Sequence, residues 1–303
     1  MIPSFSHHLR AILFALAGFT LWVCGDSCIK LATAYAVPKY EIVAVACVSG
    51  MVALWVVTAL RGRLAALRPR HRQGLLILGL LITVNYAVWV IGLQHLPLTN
   101  FYAVIFMSPL FVSFLASRFL REPMAWPKIA ATIVGFIGVL IAVDVLASHD
   151  RGSWIGYGLA LAGAFIMSLQ QLTLRFLADR ESRECTAFYP RLGPFVACLA
   201  MMPIWGVTSM PLVVWFYAFL IGTLGGIGWL FVAEAYQRAP AATVAPFHYS
   251  QIISGAVLGY VLWGDVPSLH LIIGAVLIVA AGIYIALHTH NQRALPDVPE
   301  VSV

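Results

Sequence analysis

Ala15-Leu16-Ala17-Gly18 lies inside an apolar run, and Lys30 follows twelve residues after Gly18. The same four residues return as Ala160-Leu161-Ala162-Gly163, also in an apolar run, and Arg175 follows twelve residues after Gly163. The offset is 145 residues. Downstream, Pro97 and Pro240 stand in similar contexts, as do Glu122 and Asp265, both at offset 143, and Gly138 and Gly282 at offset 144. A near-constant offset through several apolar helices signals a duplicated membrane bundle. Such bundles hold a solute site between their halves.

Composition agrees. Charged residues are 10% of the 303 residues, against about 25% in soluble domains. Apolar residues reach 61% and the mean hydropathy is +0.92, more than a soluble fold of this size can hide. The net charge of +6 does not indicate nucleic acid, because the basic residues sit in short loops between apolar runs. There they set orientation. The five cysteines (Cys24, Cys28, Cys47, Cys185, Cys198) form no CxxC pair, and four fall within apolar segments. They read as small packing residues rather than as disulfide or metal ligands.

A crossing helix needs about 20 mostly apolar residues. Ten runs qualify: 11–32, 38–60, 74–94, 97–117, 126–147, 153–177, 186–208, 211–235, 240–262 and 268–288. Prolines mark most junctions, and the tail 291–303, with Pro296 and Pro299, reads as disordered. With the N-terminus in the cytoplasm, fourteen of the eighteen basic residues fall inside, including Arg61, Arg63, Arg68, Arg70 and Arg72. Both termini are then cytoplasmic. The first run reads as a crossing and not as a cleaved signal, because it duplicates the sixth. Five helices per half force the second half to insert upside down, so residues 1–148 and 149–290 are expected to form two inverted repeats.

Three stretches carry a resemblance to a known family: AGFTLWVCGDSCIKLA at 17–32, the run NFYAVIFMSPLFVSFLASRFLREP and its continuation through 142, and APAATVAPFHYSQIISGAVLGYVLW and its continuation through 287. In both halves an acidic-residue turn precedes a Gly-rich helix. The chain resembles the EamA branch of the drug/metabolite transporter superfamily. The resemblance implies an all-α, ten-helix bundle with a central cavity lined by helices 1, 3, 4, 6, 8 and 9. It also implies transport of amino acids, other small metabolites or drugs, often outward. It carries no substrate motif.

Charge in a bilayer costs about 2.5–3.5 kcal/mol on insertion scales, so each buried charge needs a reason. Asp26 follows Trp22 by four residues and precedes Lys30 by four, so the three share a helix face. Two readings stand. Asp26 binds a substrate amine or a proton while Trp22 stacks on the solute, or Asp26 and Lys30 form an internal ion pair. The repeat aligns Asp26 with Gln171 and Lys30 with Arg175, so the acid occurs in one half only. Asn85 and Trp89, with Tyr86 beside them, suit an amphipathic ligand or an inter-helix bond. Ser168, Gln171 and Arg175 form a polar stripe. Tyr102 is a candidate gate, and Trp229 follows a glycine cluster. Pro246 loosens the helix that carries His248, Tyr249 and Gln251. His248 suits a carboxylate or a proton relay, or an inter-helix bond. Glu234 and Arg238, four apart, suit a pair. Arg191, between Pro190 and Pro194, has no partner legible in sequence.

No Walker loop, HExxH, GxSxG or dense His/Cys cluster is present, so neither an enzyme nor a resident metal or other cofactor is expected. The sequence-level expectation is a secondary carrier in a bacterial inner membrane working by alternating access. Its partners are a small-molecule substrate and the lipid bilayer, with protons as possible coupling ions through Asp26 or His248. Export of large or aromatic amino acids is favoured. The alternatives are uptake of a nucleoside-like methyl donor or a carboxylate, and a non-transporting scaffold. Aromatics around a single acid favour the methyl donor, and converging basic residues favour the carboxylate.

Overall fold

The structure is a computed structural model and describes residues 3–32, 34–35, 37–96, 98–120, 126–143, 153–264 and 266–291. Glu122, Asp144, Arg151, Asp265, Pro97 and the tail beyond 291 lie outside the described residues. Among the described residues all regular structure is helical. In chain order the helices are α1 (Pro3–Ala32), α2 (Lys39–Leu60), α3 (Arg72–His95), α4 (Leu98–Ile105), α5 (Ser108–Phe119), α6 (Trp126–Ala142) and α7 (Trp154–Leu177). They continue as α8 (Arg183–Phe188), α9 (Leu192–Trp205), α10 (Leu212–Arg238), α11 (Ala241–Val244), α12 (Ser250–Trp263) and α13 (Leu269–Asn291).

Among the described residues, seven helical segments are long and apolar enough to cross a membrane: 9–32, 39–60, 72–89, 100–119, 154–177, 183–205 and 212–238. Trp126–Ala142 and Leu269–Ile285 are shorter apolar helices. The stretch from Ala241 to Trp263 is broken by a 3-10 turn over Ala245–Tyr249. Proline explains the breaks. Pro109, Pro190 and Pro246 each lack the N–H that would bond four residues back. The chain tightens there into shorter-range bonds, as Met107 N–H donates to the Val104 carbonyl at 3.0 Å. Hence α4 parts from α5, α8 from α9, and α11 from α12.

Large apolar side chains cover the outside of the bundle: Leu76 is 73% exposed, Leu80 65% and Val261 69%. In water that surface would aggregate; in lipid it is solvated. Trp126, Trp154 and Trp205 sit exposed at helix ends, where indoles suit the membrane–water boundary. The chain is a multi-pass membrane protein.

Small residues bring the helices close, as expected where lipid removes the hydrophobic drive between them. A methyl on Gly18 of α1 would stand 2.7 Å from the Gly228 carbonyl of α10. On α6, a methyl on Gly138 would stand 2.8 Å from the Gly274 carbonyl of α13. The pairings exchange when the two halves are swapped: α1 packs on α10 and α3 on α7, while α2–α9 and α6–α13 map onto themselves. Equivalent helices run in opposite directions. Gly135 faces Ala281, whereas Ala142, further along α6, faces Gly274, earlier in α13. Likewise Glu41, at the start of α2, bonds Thr208 beyond the end of α9, and Arg63, beyond the end of α2, pairs with Glu184 at the start of α8.

Candidate functional site

Asp26 projects from the second half of α1 and is exposed. The hydroxyls of Tyr86 on α3 and Tyr102 on α4 lie within charge reach of it. Tyr86 also feels Cys47 on α2 and Arg191 and Cys198 on the α9 segment. It is nevertheless 47% exposed. A side chain that faces groups on three other helices and is still half open borders an internal crevice, not lipid. Asp26 makes no hydrogen bond or ion pair among the described residues. Lys30, four residues on, lays its ammonium over the Trp263 ring at 3.9 Å. The acid is therefore not paired with the neighbouring lysine.

An unbroken arc of rings runs beside this acid. Trp229 of α10 stacks on Trp22 at 5.4 Å between centroids and 27° between planes. Trp22 meets Phe19 edge-on at 5.5 Å. Phe19 and Phe106 flank His248 at 5.0 and 5.4 Å. Phe106 then leads to Tyr102 at 6.1 Å, and Tyr102 stands perpendicular to Trp89 at 5.3 Å. The breaks before α5 and in 245–249 bring Phe106 against His248, with their ring planes 57° apart. Buried polar atoms along the arc carry no protein partner: Trp89 Nε1, Trp229 Nε1, His248 Nδ1 and, beside Trp89 on α3, Asn85 Oδ1. Unsatisfied groups of this kind at the middle of a bundle are groups that water or a ligand serves.

Of the nine residues singled out from sequence, Trp22, Asp26, Trp89, Tyr102, Trp229 and His248 come together here. The other three also make helix contacts, and Tyr249 touches the arc as well, its ring edge-on to Phe106 at 6.2 Å. Asn85 looks toward α7, where a methyl on Gly163 would stand 3.6 Å from its Oδ1. Gln171 is 6% exposed and accepts the Tyr236 hydroxyl at 2.5 Å. Tyr249 is 1% exposed and packs on α6, where a methyl on Gly135 would meet its ring at 2.9 Å. Phe19 and Phe106 complete the arc without any sequence signal, since apolar rings in apolar helices are not distinctive.

A pocket of about 460 Å³ lies elsewhere, at the rim where most loop arginines gather, lined by Arg63, Ser182, Arg183, Glu184, Glu234, Gln237 and Arg238. Its charges are spent on one another. Glu234 pairs with Arg183 and accepts Arg238 Nε at 2.7 Å, the contact that the four-residue spacing implies. Glu184 takes Arg63 at 3.3 Å and Arg183 at 3.5 Å. Next to it Glu181 accepts the backbone N–H groups of Arg70 at 2.7 Å, His71 at 2.9 Å and Ser182 at 2.9 Å. This belt fastens α8, α10 and the loop after α2.

Comparison with known proteins agrees with this architecture. The sequence profile of the EamA-like transporter family matches residues 9–143 and again 154–287. A solved crystal structure superposes with a TM-score of 0.79 at 19% identity, over 93% of this chain and 98% of the other. Among curated relatives, the S-adenosylmethionine uptake transporter of Rickettsia conorii is 28% identical over 68% of this chain and 69% of its own. The riboflavin transporter of Rhizobium johnstonii is 28% identical over 77% and 76%. The pseudopaline exporter CntI of Pseudomonas aeruginosa is 25% identical over 89% and 93%. A profile that matches twice over nearly the whole chain fixes the assignment: this chain is a member of the EamA-like transporter family and a transporter rather than an enzyme.

Proposed function

We propose that the protein is a secondary carrier in a bacterial inner membrane that moves a small organic cation bearing a flat ring, by alternating access. Counting Ala241–Trp263 as one crossing and joining the broken rods gives ten. Residues 1–148 and 149–290 are then the two inverted repeats, and the arginine-rich rim with both termini is cytoplasmic. The antiparallel α2–α9 and α6–α13 pairs support the inversion, and the basic loops support the orientation.

One observation carries the substrate class: a lone, unpaired, accessible acid beside a continuous arc of rings. A carboxylate attracts the cation, and aromatic faces hold both a ring and a positive charge. Aromatics around one acid favour a nucleoside-like methyl donor, the kind of solute named for the rickettsial relative. Export of large or aromatic amino acids is the second reading, and the same arc favours it. The relatives' names include both uptake and export, so direction is assigned to the gradient and not to the fold. Between the two groups nominated for proton coupling, Asp26 is the open one and His248 is 2% exposed between two phenylalanines.

The test is flux into proteoliposomes of labelled S-adenosylmethionine, L-tryptophan and a dicarboxylate, with and without an imposed pH gradient. The expected result is saturable uptake of the first, lost at least tenfold in Asp26→Asn, in line with removing a charge-assisted contact. Preference for the dicarboxylate, or flux indifferent to Asp26→Asn, removes this substrate class. No saturable flux of any solute returns the scaffold alternative.

A further inference from the structure

Arg191 is a cation that neither the fold nor the proposed cation site uses. It ends the 3-10 turn Tyr189–Arg191, where Pro190 breaks the rod between α8 and α9. Its position is about 12 Å along the crossing segment from Arg183, at 1.5 Å per residue. Nε has no partner, and the guanidinium makes no hydrogen bond or ion pair among the described residues. A charge left bare within a membrane bundle is retained for what it meets. Gly50 of α2 leaves the room it occupies: a methyl there would stand 3.2 Å from Nη1 and 3.3 Å from Cζ. Tyr86 lies within charge reach of both Arg191 and Asp26, whereas Arg191 and Asp26 do not neutralise each other. The crevice thus offers an acid on one side, a guanidinium on another, and a half-open tyrosine common to both.

We infer that Arg191 is a carboxylate-binding group of this crevice, so that the substrate carries a carboxylate as well as its cationic centre. A planar guanidinium engages a carboxylate through two parallel N–H bonds, which lysine cannot reproduce. The inference rests on the cation-carrier reading above and narrows it to zwitterionic solutes, of which an α-amino acid headgroup is the simplest.

The experiment measures equilibrium binding of labelled S-adenosylmethionine and of its decarboxylated form to the purified full-length protein. Wild type is expected to favour the carboxylated form roughly tenfold or more. Arg191→Gln is expected to erase that preference by weakening only the carboxylated form, and Arg191→Lys to keep part of it. Arg191→Lys also serves if the glutamine variant does not fold, and the wild-type comparison needs no variant. Equal binding of both forms by wild type overturns the inference while leaving the cation reading intact. So does a preference that survives in Arg191→Gln, or an equal loss of both ligands. Binding of neither form by wild type overturns both.

Discussion

Where α2 leaves the bundle, Arg63 reaches Glu184, and Arg183 links Glu184 to Glu234, which also holds Arg238. Where α2 enters the bundle, Glu41 meets no cation among the described residues and instead accepts the Thr208 backbone N–H at 2.9 Å and its hydroxyl at 3.1 Å. These are equivalent contacts of the two repeats, made once with an ionic belt and once with two hydrogen bonds. The arginine-rich rim is therefore the more strongly tied one. In the alternating-access cycle proposed above, the belt would open and re-form each time, and its strength would set how long that rim stays shut.

The comparison can be broken most forcefully at Glu234. Glu234→Gln strands Arg238 and leaves Arg183 with Glu184 alone. Loss of one partner from a buried pair costs about 3–5 kcal/mol, and the lower end applies because the two arginine side chains keep 20% and 27% exposure. A thermal melt of purified protein should show a marked drop, and an unchanged midpoint would make the belt incidental. At the other rim Thr208→Val removes the hydroxyl and leaves the N–H, for an expected loss of about 1–2 kcal/mol. A larger loss there than at Glu234 would reverse the ranking of the rims.

The smallest effect belongs to Glu181, between α7 and α8. Burial pushes its pKa up, but the backbone N–H groups of His71, Ser182 and Arg70 outweigh that and hold it below the ordinary 4.5. Its stabilisation is thus complete above the ordinary carboxylate range and fades as pH falls through the lowered value. Melts of wild type and Glu181→Gln across an acid series should differ near neutrality and converge at low pH. A gap that persists at the acid end would show that the bonds to the loop do not depend on the charge.

The duplication, which the family profile matches twice, was legible because helix order and offset are one-dimensional facts. So was the Glu234–Arg238 pair, which needs only a four-residue spacing. Tertiary neighbours were not. Ser168, Gln171 and Arg175 do share a face, but spacing cannot say that Tyr236 covers it and takes up Gln171. Asp26 and Lys30 also share a face, yet Trp263, from a helix more than two hundred residues later, draws the ammonium away. Arg191 stood out as a lone cation between two prolines. Only the fold shows that Gly50 of α2 leaves the room its guanidinium occupies.

The stacking of Trp22 on Trp229 gives the protein an optical signature of its own. Two indoles this near, with planes 27° apart, couple their transition dipoles and produce a paired positive and negative band in circular dichroism. In the site proposed above, a guest that slides against either ring would change their mutual angle and hence the amplitude of that couplet. Occupancy can therefore be followed spectroscopically without any label, and Trp22→Phe supplies the blank.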